Sequence, residues 1–304
     1  MCVVCWYSLV KKAIKICLIV LFPIVVIVLF EVFKHPVGFQ KTNSISEVNE
    51  LPLVQPSVNA LEVNNFIGGI PYKDGKLIFD VLPSNKFKKT IIEGYGNCSN
   101  LSFGAAYFLR QNGIGYQIVH FLPFQSYFDG DGHTVINTVY NYQQHSHVFG
   151  IVDVIEGGLP QTENNRNLTI NDLVVKDSWK PIHILSFNKI KDNKSEYYNQ
   201  KYLKNIVIGV MTDAEIARYF RFIEYIYVPL GSAKLEKYLY DGLALFFGAY
   251  PSIYVTQYSA LGQPLFDRVF YKSALWLIRG YVVLLIFWFI LAFLPKGRLL
   301  RARS

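Results

Sequence analysis

The chain has 304 residues and a formal net charge of +8. Residues 1–33, Arg279 and residues 295–304 together contribute +7 of this charge, which leaves +1 for the rest of the chain. A central region this close to neutral excludes a basic surface that binds nucleic acid through phosphate contacts. We therefore expect no nucleic-acid partner.

Two long apolar stretches lie near the ends of the chain. Residues 13–33 and 274–294 each reach the roughly 20 residues that a helix needs to cross a bilayer, and neither has a polar face. A cleavable signal peptide is the alternative for the first stretch, but no small-residue cleavage site follows it. The sequence predicts two transmembrane helices, with the lipid bilayer as partner.

Basic residues beside these stretches indicate their orientation. Lys11, Lys12 and Lys15 stand at the start of the first stretch, and a basic tail follows the second. Because positively charged flanks stay in the cytoplasm, we expect residues 1–12 and 295–304 to be cytoplasmic tails. The residues between the two spans then face outward, and we expect a multi-pass membrane protein with its central domain outside the cytoplasm.

Cys98 is the only cysteine in the predicted outward-facing part, since Cys2, Cys5 and Cys17 belong to the first tail and the first span. Oxidising compartments favour paired cysteines. A single thiol there is either inert packing or is retained for its chemistry.

The residues after Cys98 predict a helix followed by strands. Apolar residues recur at helical spacing from Leu101 to Leu109, and Gly113 provides a C-terminal stop. Three β-prone runs follow. We expect the last two, residues 133–140 and 148–155, to pair as a hairpin across a polar turn.

This order of elements predicts a nucleophile with a base. Cys98 lies in the first turn of its helix, where free N–H groups and the helix dipole favour a thiolate. Gly94 and Gly96 before it leave room for a substrate backbone. The hairpin brings the ends that carry His133 and Asp153 side by side, so that the carboxylate can orient the imidazole for acyl transfer.

Three segments resemble the transglutaminase-like superfamily, a circularly rearranged relative of papain: GYGNCSNLSFGAAYFLRQNGIGYQIVHF, DGHTVINTVYN and VFGIVDVIEGG. The resemblance covers about 65 residues, roughly a fifth of the chain. It implies a Cys98–His133–Asp153 triad. It also implies an α+β core in which the cysteine-bearing helix packs on an antiparallel sheet.

The chain departs from the family pattern at three positions around this core. Tyr116, Phe149 and Val154 stand where the family usually has Arg, Trp and Pro. These departures concern substrate contacts more than the triad. Tyr95 is a positional candidate for a second oxyanion donor.

The predicted fold is therefore a transglutaminase-like α+β core flanked by two transmembrane helices. Residues 34–89 form an extracytoplasmic lead-in, residues 90–160 the core, and residues 161–273 a C-terminal part that contains helices. One of these helices opens with a capping box, formed by Thr212 and Glu215.

We expect no metal and no cofactor. His145 and His147 alternate in a polar turn, which is weak evidence for zinc. Asp129 and Asp131 lack the downstream glycine and glutamate of a calcium loop. His120 and His183 have no partner that the sequence indicates.

The predicted function is acyl transfer or hydrolysis at amide bonds of an extracytoplasmic peptide or protein, with water or an amine as acceptor. Two alternatives remain open at this point. One is a non-catalytic transglutaminase-like module that binds a partner in a cell-envelope assembly. The other is a papain-like peptidase without the transferase relation.

Overall fold

The computed structural model describes residues 3–34, 42–44, 70, 77–123, 132–143, 146–155, 158–162, 164, 166–174, 182–186, 190–191, 196–198, 202–203, 205–255 and 262–293. The chain divides into two compact units. One unit, Met1–Phe39 with Gln263–Ser304, contains the two long terminal helices. The other, Gln40–Gly262, contains the sheets and the shorter helices.

The elements are numbered in chain order. The helices are α1 (Val3–Lys34), α2 (Pro83–Phe87), α3 (Cys98–Gln111), α4 (Ile170–Val174), α5 (Asp213–Ile226), α6 (Ala233–Phe247) and α7 (Gly262–Phe293). A π-helical turn spans Lys88–Ile92, and a 3-10 turn spans Glu196–Tyr198. The strands are β1 (Thr42–Ser44), β2 (Tyr116–Pro123), β3 (His133–Gln143), β4 (Ser146–Val152), β5 (Gly158–Thr162), β6 (Ile182–Ser186), β7 (Ile190–Lys191), β8 (Ile206–Thr212) and β9 (Ile253–Val255).

The two terminal helices are long and apolar enough to cross a membrane. The candidate spans are Tyr7–Leu29, with a mean hydropathy of 2.7, and Trp276–Phe293, with a mean hydropathy of 2.2. The prediction of two apolar helices near the ends is confirmed. The Tyr7 hydroxyl donates to the Leu291 carbonyl, which places the start of α1 beside the end of α7. The Arg279 guanidinium lies 5.4 Å from the centre of the Trp276 ring.

Six strands of the described residues form one sheet, in the order β1-β9-β8-β2-β3-β4. The five strands from β9 to β4 pair antiparallel, and β1 adds a parallel edge beside β9. A smaller sheet has the order β5-β6-β7. The fold is α+β with a five-stranded antiparallel sheet, which confirms the class predicted from the sequence.

The large sheet has a hydrophobic core on each face, because successive side chains of a strand point to opposite sides. On β2, Ile118 and Leu122 face the core that α3, α5 and α6 cover. Val119 and Phe121 face a second core, which includes Tyr198. Burial of both faces explains why the strands read as nearly continuous apolar runs.

Helix α3 is the helix predicted after Cys98. Leu101 and Leu109 are buried, as their spacing predicts. Gly104 allows α3 to approach the π-helical turn closely, since a Cβ at this position would collide with the Thr90 hydroxyl. Gly113 has a φ of +66° and ends the helix as predicted.

The predicted hairpin forms with different strand limits. β3 begins at His133 but runs to Gln143, and β4 begins at Ser146 instead of residue 148 and ends before Asp153. Pairing continues to Gln143 and Ser146. Polar residues that were expected to form a turn therefore belong largely to the strands, because backbone pairing in a hairpin does not require apolar side chains.

The two predicted helices of the C-terminal part are α5 and α6. Thr212 caps α5, accepting a hydrogen bond from the Glu215 N–H at 3.4 Å. The Glu215 carboxylate accepts from the Ser252 N–H at 3.0 Å, so only half of the predicted capping box forms. Within the predicted lead-in, residues 35–41, 45–69 and 71–76 lie outside the described residues.

Candidate active site

Cys98 is the first residue of α3, and the residue before it fixes this position. Asn97 has an extended backbone, and its side-chain oxygen accepts a hydrogen bond from the Asn100 N–H at 2.9 Å. The N–H groups of Cys98 and Ser99 have no partner inside the helix, because the first turn always leaves such donors free. The thiol therefore begins at the end of the helix that favours negative charge.

The two glycines before Cys98 serve local packing. Gly94 and Gly96 are buried and have φ values of +79° and +120°. A Cβ on Gly96 would lie 2.7 Å from the Asn100 Cβ. Gly96 thus lets the chain fold against the first turn of α3, and the space for a substrate backbone stays a prediction.

The Cys98 thiol is half-buried where α3 meets the start of β3. Its Sγ lies 3.9 Å from the carbonyl oxygen of Gly132, and the N–H groups of Thr134 and Ser99 interact with the sulfur. One helical turn later, the Ser102 hydroxyl donates to the Thr134 carbonyl at 3.1 Å. These contacts hold the thiol beside the first residues of β3.

His133 and Asp153 meet on one face of the hairpin. Ile136 pairs with Val152, so Asp153, the next residue, lies diagonally across from His133 and within reach of its side chain. His133 Nε2 lies 2.6 Å from Asp153 Oδ2, and both side chains are fully buried. The structure thus brings together two side chains that are 20 residues apart in the sequence.

Gly132 sets the start of β3. Its φ of +131° is a conformation that favours glycine, and a Cβ would collide with the Phe121 carbonyl oxygen. Because Gly132 precedes His133 and its own carbonyl faces the Cys98 thiol, this turn controls both groups of the pair.

Electrostatic interactions favour the charged forms of both Cys98 and His133. Burial raises the pKa of the Cys98 thiol, but His133 and the neighbouring backbone N–H groups lower it, and the balance lies below the ordinary thiol value. Burial lowers the pKa of His133, but the Asp153 carboxylate and Cys98 raise it to about 10. Both shifts favour the pair of a thiolate and an imidazolium over the neutral pair.

The imidazole has one nitrogen left for the thiol. Asp153 occupies Nε2, and Nδ1 is buried without a hydrogen-bond partner among the described residues. Cys98 and the ring are nevertheless near enough to shift each other's pKa. Their interaction is not a hydrogen bond of normal geometry, and catalytic hydrogen bonds are often long in structures without substrate.

Aromatic rings enclose the His133–Asp153 pair. The Tyr198 hydroxyl donates to Asp153 Oδ2 at 2.8 Å. The Tyr197 ring stacks on the imidazole with centroids 4.0 Å apart and planes within 6°. Phe121 contacts the imidazole edge-on at 5.8 Å. A stacked aromatic face favours the imidazolium cation, and the hydroxyl stabilises the carboxylate.

The sequence does not identify Tyr197 and Tyr198 as site residues, because residues 161–273 contain no motif that indicates this role. The two tyrosines lie in the 3-10 turn. Tyr198 is 45 residues after Asp153 in the sequence. A buried tyrosine hydroxyl needs a polar partner, and the aromatic pair is the one available signal. It does not specify which carboxylate the hydroxyl meets.

His120 has a partner that the sequence does not indicate. Its Nδ1 lies 3.0 Å from the Thr134 hydroxyl oxygen, across the β2–β3 pairing. Burial lowers the pKa of His120 to about 4, so that this imidazole is neutral at pH 7. His120 therefore supports the strand position whose N–H reaches Cys98, while the side chain of His183 lies outside the described residues.

The structure does not support the backbone N–H of Tyr95 as the second oxyanion donor. Its side chain is 41% exposed, and its N–H donates to the Lys89 carbonyl at 3.0 Å. Of the residues considered for metals, Asp129, Asp131 and His145 and the side chain of His147 lie outside the described residues. The described part of the chain contains no group of three His, Cys, Asp or Glu residues that could hold a metal ion.

Three separate elements supply the candidate triad. Cys98 comes from the start of α3, His133 from the start of β3, and Asp153 from the residue after β4. The fold brings these positions together at one end of the β3–β4 hairpin. No protein-family model, no curated protein and no solved structure matches this chain.

Proposed function

We propose that this protein is a membrane-anchored, transglutaminase-like cysteine enzyme that transfers or hydrolyses acyl groups at amide bonds of an extracytoplasmic peptide or protein. One observation carries the proposal: a fully buried His133–Asp153 pair lies beside the half-buried Cys98 thiol. A buried ion pair is rarely better for stability than apolar residues of similar volume. Activation of the adjacent Cys98 thiol would explain why the chain keeps this buried pair.

In the first half-reaction, the Cys98 thiolate attacks an amide carbonyl carbon, and a C–S bond forms while the oxygen becomes an oxyanion. The free N–H of Cys98 at the start of α3 stabilises that charge. The His133 imidazolium donates its Nδ1 proton to the departing amine. The C–N bond then breaks, which leaves a thioester on Cys98 and a neutral imidazole.

In the second half-reaction, water or an amine gives a proton to His133 Nδ1 and attacks the thioester. The C–S bond breaks, the acyl group leaves as an acid or a new amide, and the thiolate–imidazolium pair returns. Asp153 stays charged throughout and stabilises the imidazolium. Tyr198 holds the carboxylate in place through its hydrogen bond.

The proposal includes the topology of the chain. Both terminal helices are apolar enough to act as anchors, and the contact between Tyr7 and Leu291 supports an arrangement with both termini on one side. The basic residues at both ends favour the cytoplasm for that side. The domain that carries Cys98 would then act on substrates outside the cytoplasm.

Thiol reactivity tests the catalytic proposal. The alkylation rate of Cys98 by iodoacetamide is measured by mass spectrometry of its own peptide, with the denatured chain as reference. In the folded protein, Cys98 should react well below pH 8, because its pKa is lowered. His133→Ala should slow the reaction to the rate of an ordinary thiol.

A non-catalytic interaction module is the second candidate function, and one observation favours it. The imidazole is fully buried, with Tyr197 stacked on its face. This candidate predicts slow alkylation of Cys98 that His133→Ala leaves unchanged. That outcome would remove the enzymatic proposal and leave the membrane anchors untouched.

A further inference from the structure

Helix α6 and the loop before it present apolar side chains to solvent. Leu235 and Leu239 on the helix are 55% and 36% exposed, and Val228 and Leu230 in the loop are 60% and 43% exposed. We call these four residues the α6 patch. Single exposed apolar residues are common on proteins, whereas a group on one helix face requires an explanation.

The outward face of α6 carries no charge. From Leu235, the positions at helical spacing are Leu239, Gly242 and Phe246. The acidic residues of the helix, Glu236 and Asp241, are buried on the other side, 5% and 3% exposed. Lys234 is exposed beside this face, whereas an ordinary surface helix carries charges on the exposed face itself.

The preceding helix α5 shows the ordinary pattern. It exposes Arg218 and Arg221 and buries Ile216, Phe220 and Ile223. The two helices have the same core beneath them. Packing in that core explains the buried residues of α5, which also exposes Tyr225 near its end, and it leaves the exposed leucines of α6 unexplained.

The dimensions of the patch argue against a second copy of the chain as its cover. Even the whole stretch of helix from Leu235 to Phe247 rises only roughly 18 Å, and one helix is about 10 Å wide. A stable dimer buries roughly 800 Å² on each partner, several times the area of such a stripe. The helical part of the patch is too small to hold two free proteins together.

A bilayer requires much less area. Both ends of the sheet-containing unit continue into helices that are apolar enough to cross a membrane, and only a short segment separates β9, which ends at Val255, from α7, which begins at Gly262. A domain tethered in this way stays at the lipid surface, so contact with lipid becomes an intramolecular event. Under these conditions a small apolar face is sufficient for binding.

We propose that the α6 patch inserts into the interfacial layer of the bilayer to which the chain is anchored. Leu235 and Leu239 enter the boundary between headgroups and acyl chains, as the apolar face of an interfacial helix does. The contact fixes which side of the domain faces the membrane, and it does not depend on the thiol chemistry proposed above.

A photo-cross-linking experiment tests this inference on the full-length chain. The amino acid p-benzoylphenylalanine replaces Leu235, and the protein is reconstituted in vesicles of phosphatidylcholine and phosphatidylglycerol. Arg221, exposed on the charged face of α5, provides the matched negative control. Phe287, exposed on the candidate span of α7, provides the positive control.

The expected result is a phospholipid adduct from position 235 with a yield close to that from position 287, and about tenfold above that from position 221. An adduct from position 235 to a second copy of the chain, or to no molecule at all while position 287 labels lipid, overturns the proposal. The absence of a phospholipid adduct from position 287 also overturns the proposal, since the chain would then not lie in the bilayer. Unchanged Cys98 alkylation in all three proteins shows that each has folded, and it keeps this result separate from the catalytic proposal.

Discussion

Two carboxylates in the sheet-containing unit are buried and held in the same way, by one cationic side chain and one tyrosine hydroxyl. Asp153 accepts from His133 Nε2 at 2.6 Å and from Tyr198 at 2.8 Å. The second carboxylate, Asp241 of α6, has equivalent partners. Measured by burial and hydrogen bonding alone, the two sites look alike.

The cations of the two sites differ in what lies beyond them. Lys237 donates to Asp241 at 2.6 Å from one helical turn away, its side chain is 26% exposed, and Tyr219 completes the site at 2.6 Å. Water and a local helical contact therefore satisfy Lys237. His133 is fully buried, and it interacts with the Cys98 thiol of another element. A buried ion pair indicates function when its cation has a second, reactive neighbour.

The largest effect should separate His133→Ala from Lys237→Ala. At about pH 6.5, two units below an ordinary thiol pKa, loss of His133 should slow Cys98 alkylation by up to about 100-fold, while loss of Lys237 should leave it unchanged. His133→Ala should also cost about 3–5 kcal/mol in free energy of unfolding, since Asp153 stays buried with its charge uncompensated. Equal reactivity in the two variants would contradict the distinction between the sites.

Two glycines offer the next contrast. Gly132→Ala should destabilise the protein by about 3 kcal/mol and slow Cys98 alkylation, because the new Cβ collides with the Phe121 carbonyl next to His133. Gly248→Ala, at the end of α6, should cost only about 1 kcal/mol, since a φ of +73° is its one obstacle and no atom lies within 4 Å. Thermal unfolding of the full-length chain in detergent measures both. A Gly132 variant with native reactivity would show that this turn does not control the pair.

Removal of each tyrosine hydroxyl tests the carboxylates themselves. Tyr198→Phe and Tyr219→Phe should each lower the free energy of unfolding by about 1.5–3 kcal/mol, because each deletes a hydrogen bond to a buried charge. Only Tyr198→Phe should move the pH profile of Cys98 alkylation, toward higher pH. A shift of the same size in Tyr219→Phe would place both carboxylates in one electrostatic network.

The smallest effect concerns how the free energy of unfolding changes with pH. Its slope should have opposite signs for the groups at His133 and at Lys86. The pKa of His133 is raised to about 10, so its stabilisation is complete below about pH 6.5 and is lost as pH rises toward 10. Burial and Lys237 lower the pKa of Lys86, near Asp241, to about 8. Its protonation therefore destabilises the fold at low pH, and stability rises between about pH 8 and 10.5.

Because one proton is involved at each group, the slope of the free energy of unfolding against pH is limited to about 1.4 kcal/mol per pH unit. The measurement uses a Cys98→Ser background, where the thiol no longer titrates and Asp153 still raises the pKa of His133. His133→Gln should remove the falling slope, and Lys86→Met should remove the rising slope. Slopes of the same sign in the two regions would contradict the assignment of charge at one of them.

Features that depend on neighbours in sequence were predictable from the sequence. Apolar spacing and the glycine stop predict α3 with Cys98 in its first turn, and long apolar runs predict the terminal helices. The start of β3 at His133 follows from β-prone residues after a glycine. Caps, helical periodicity and turn residues act over a few positions, so their energetics are visible in a local stretch of chain.

The predicted hairpin already brings His133 and Asp153 together. Other contacts between distant segments were decided by the tertiary structure alone: the 3-10 turn brings Tyr198 to the same carboxylate, and the Ser252 N–H takes the Glu215 side chain from its expected cap. None of these pairings has a local cost or gain that the sequence displays, because each depends on how strands and loops from different parts of the chain close together. The sequence thus determined where α3 and β3 begin, and packing decided which more distant side chains meet them.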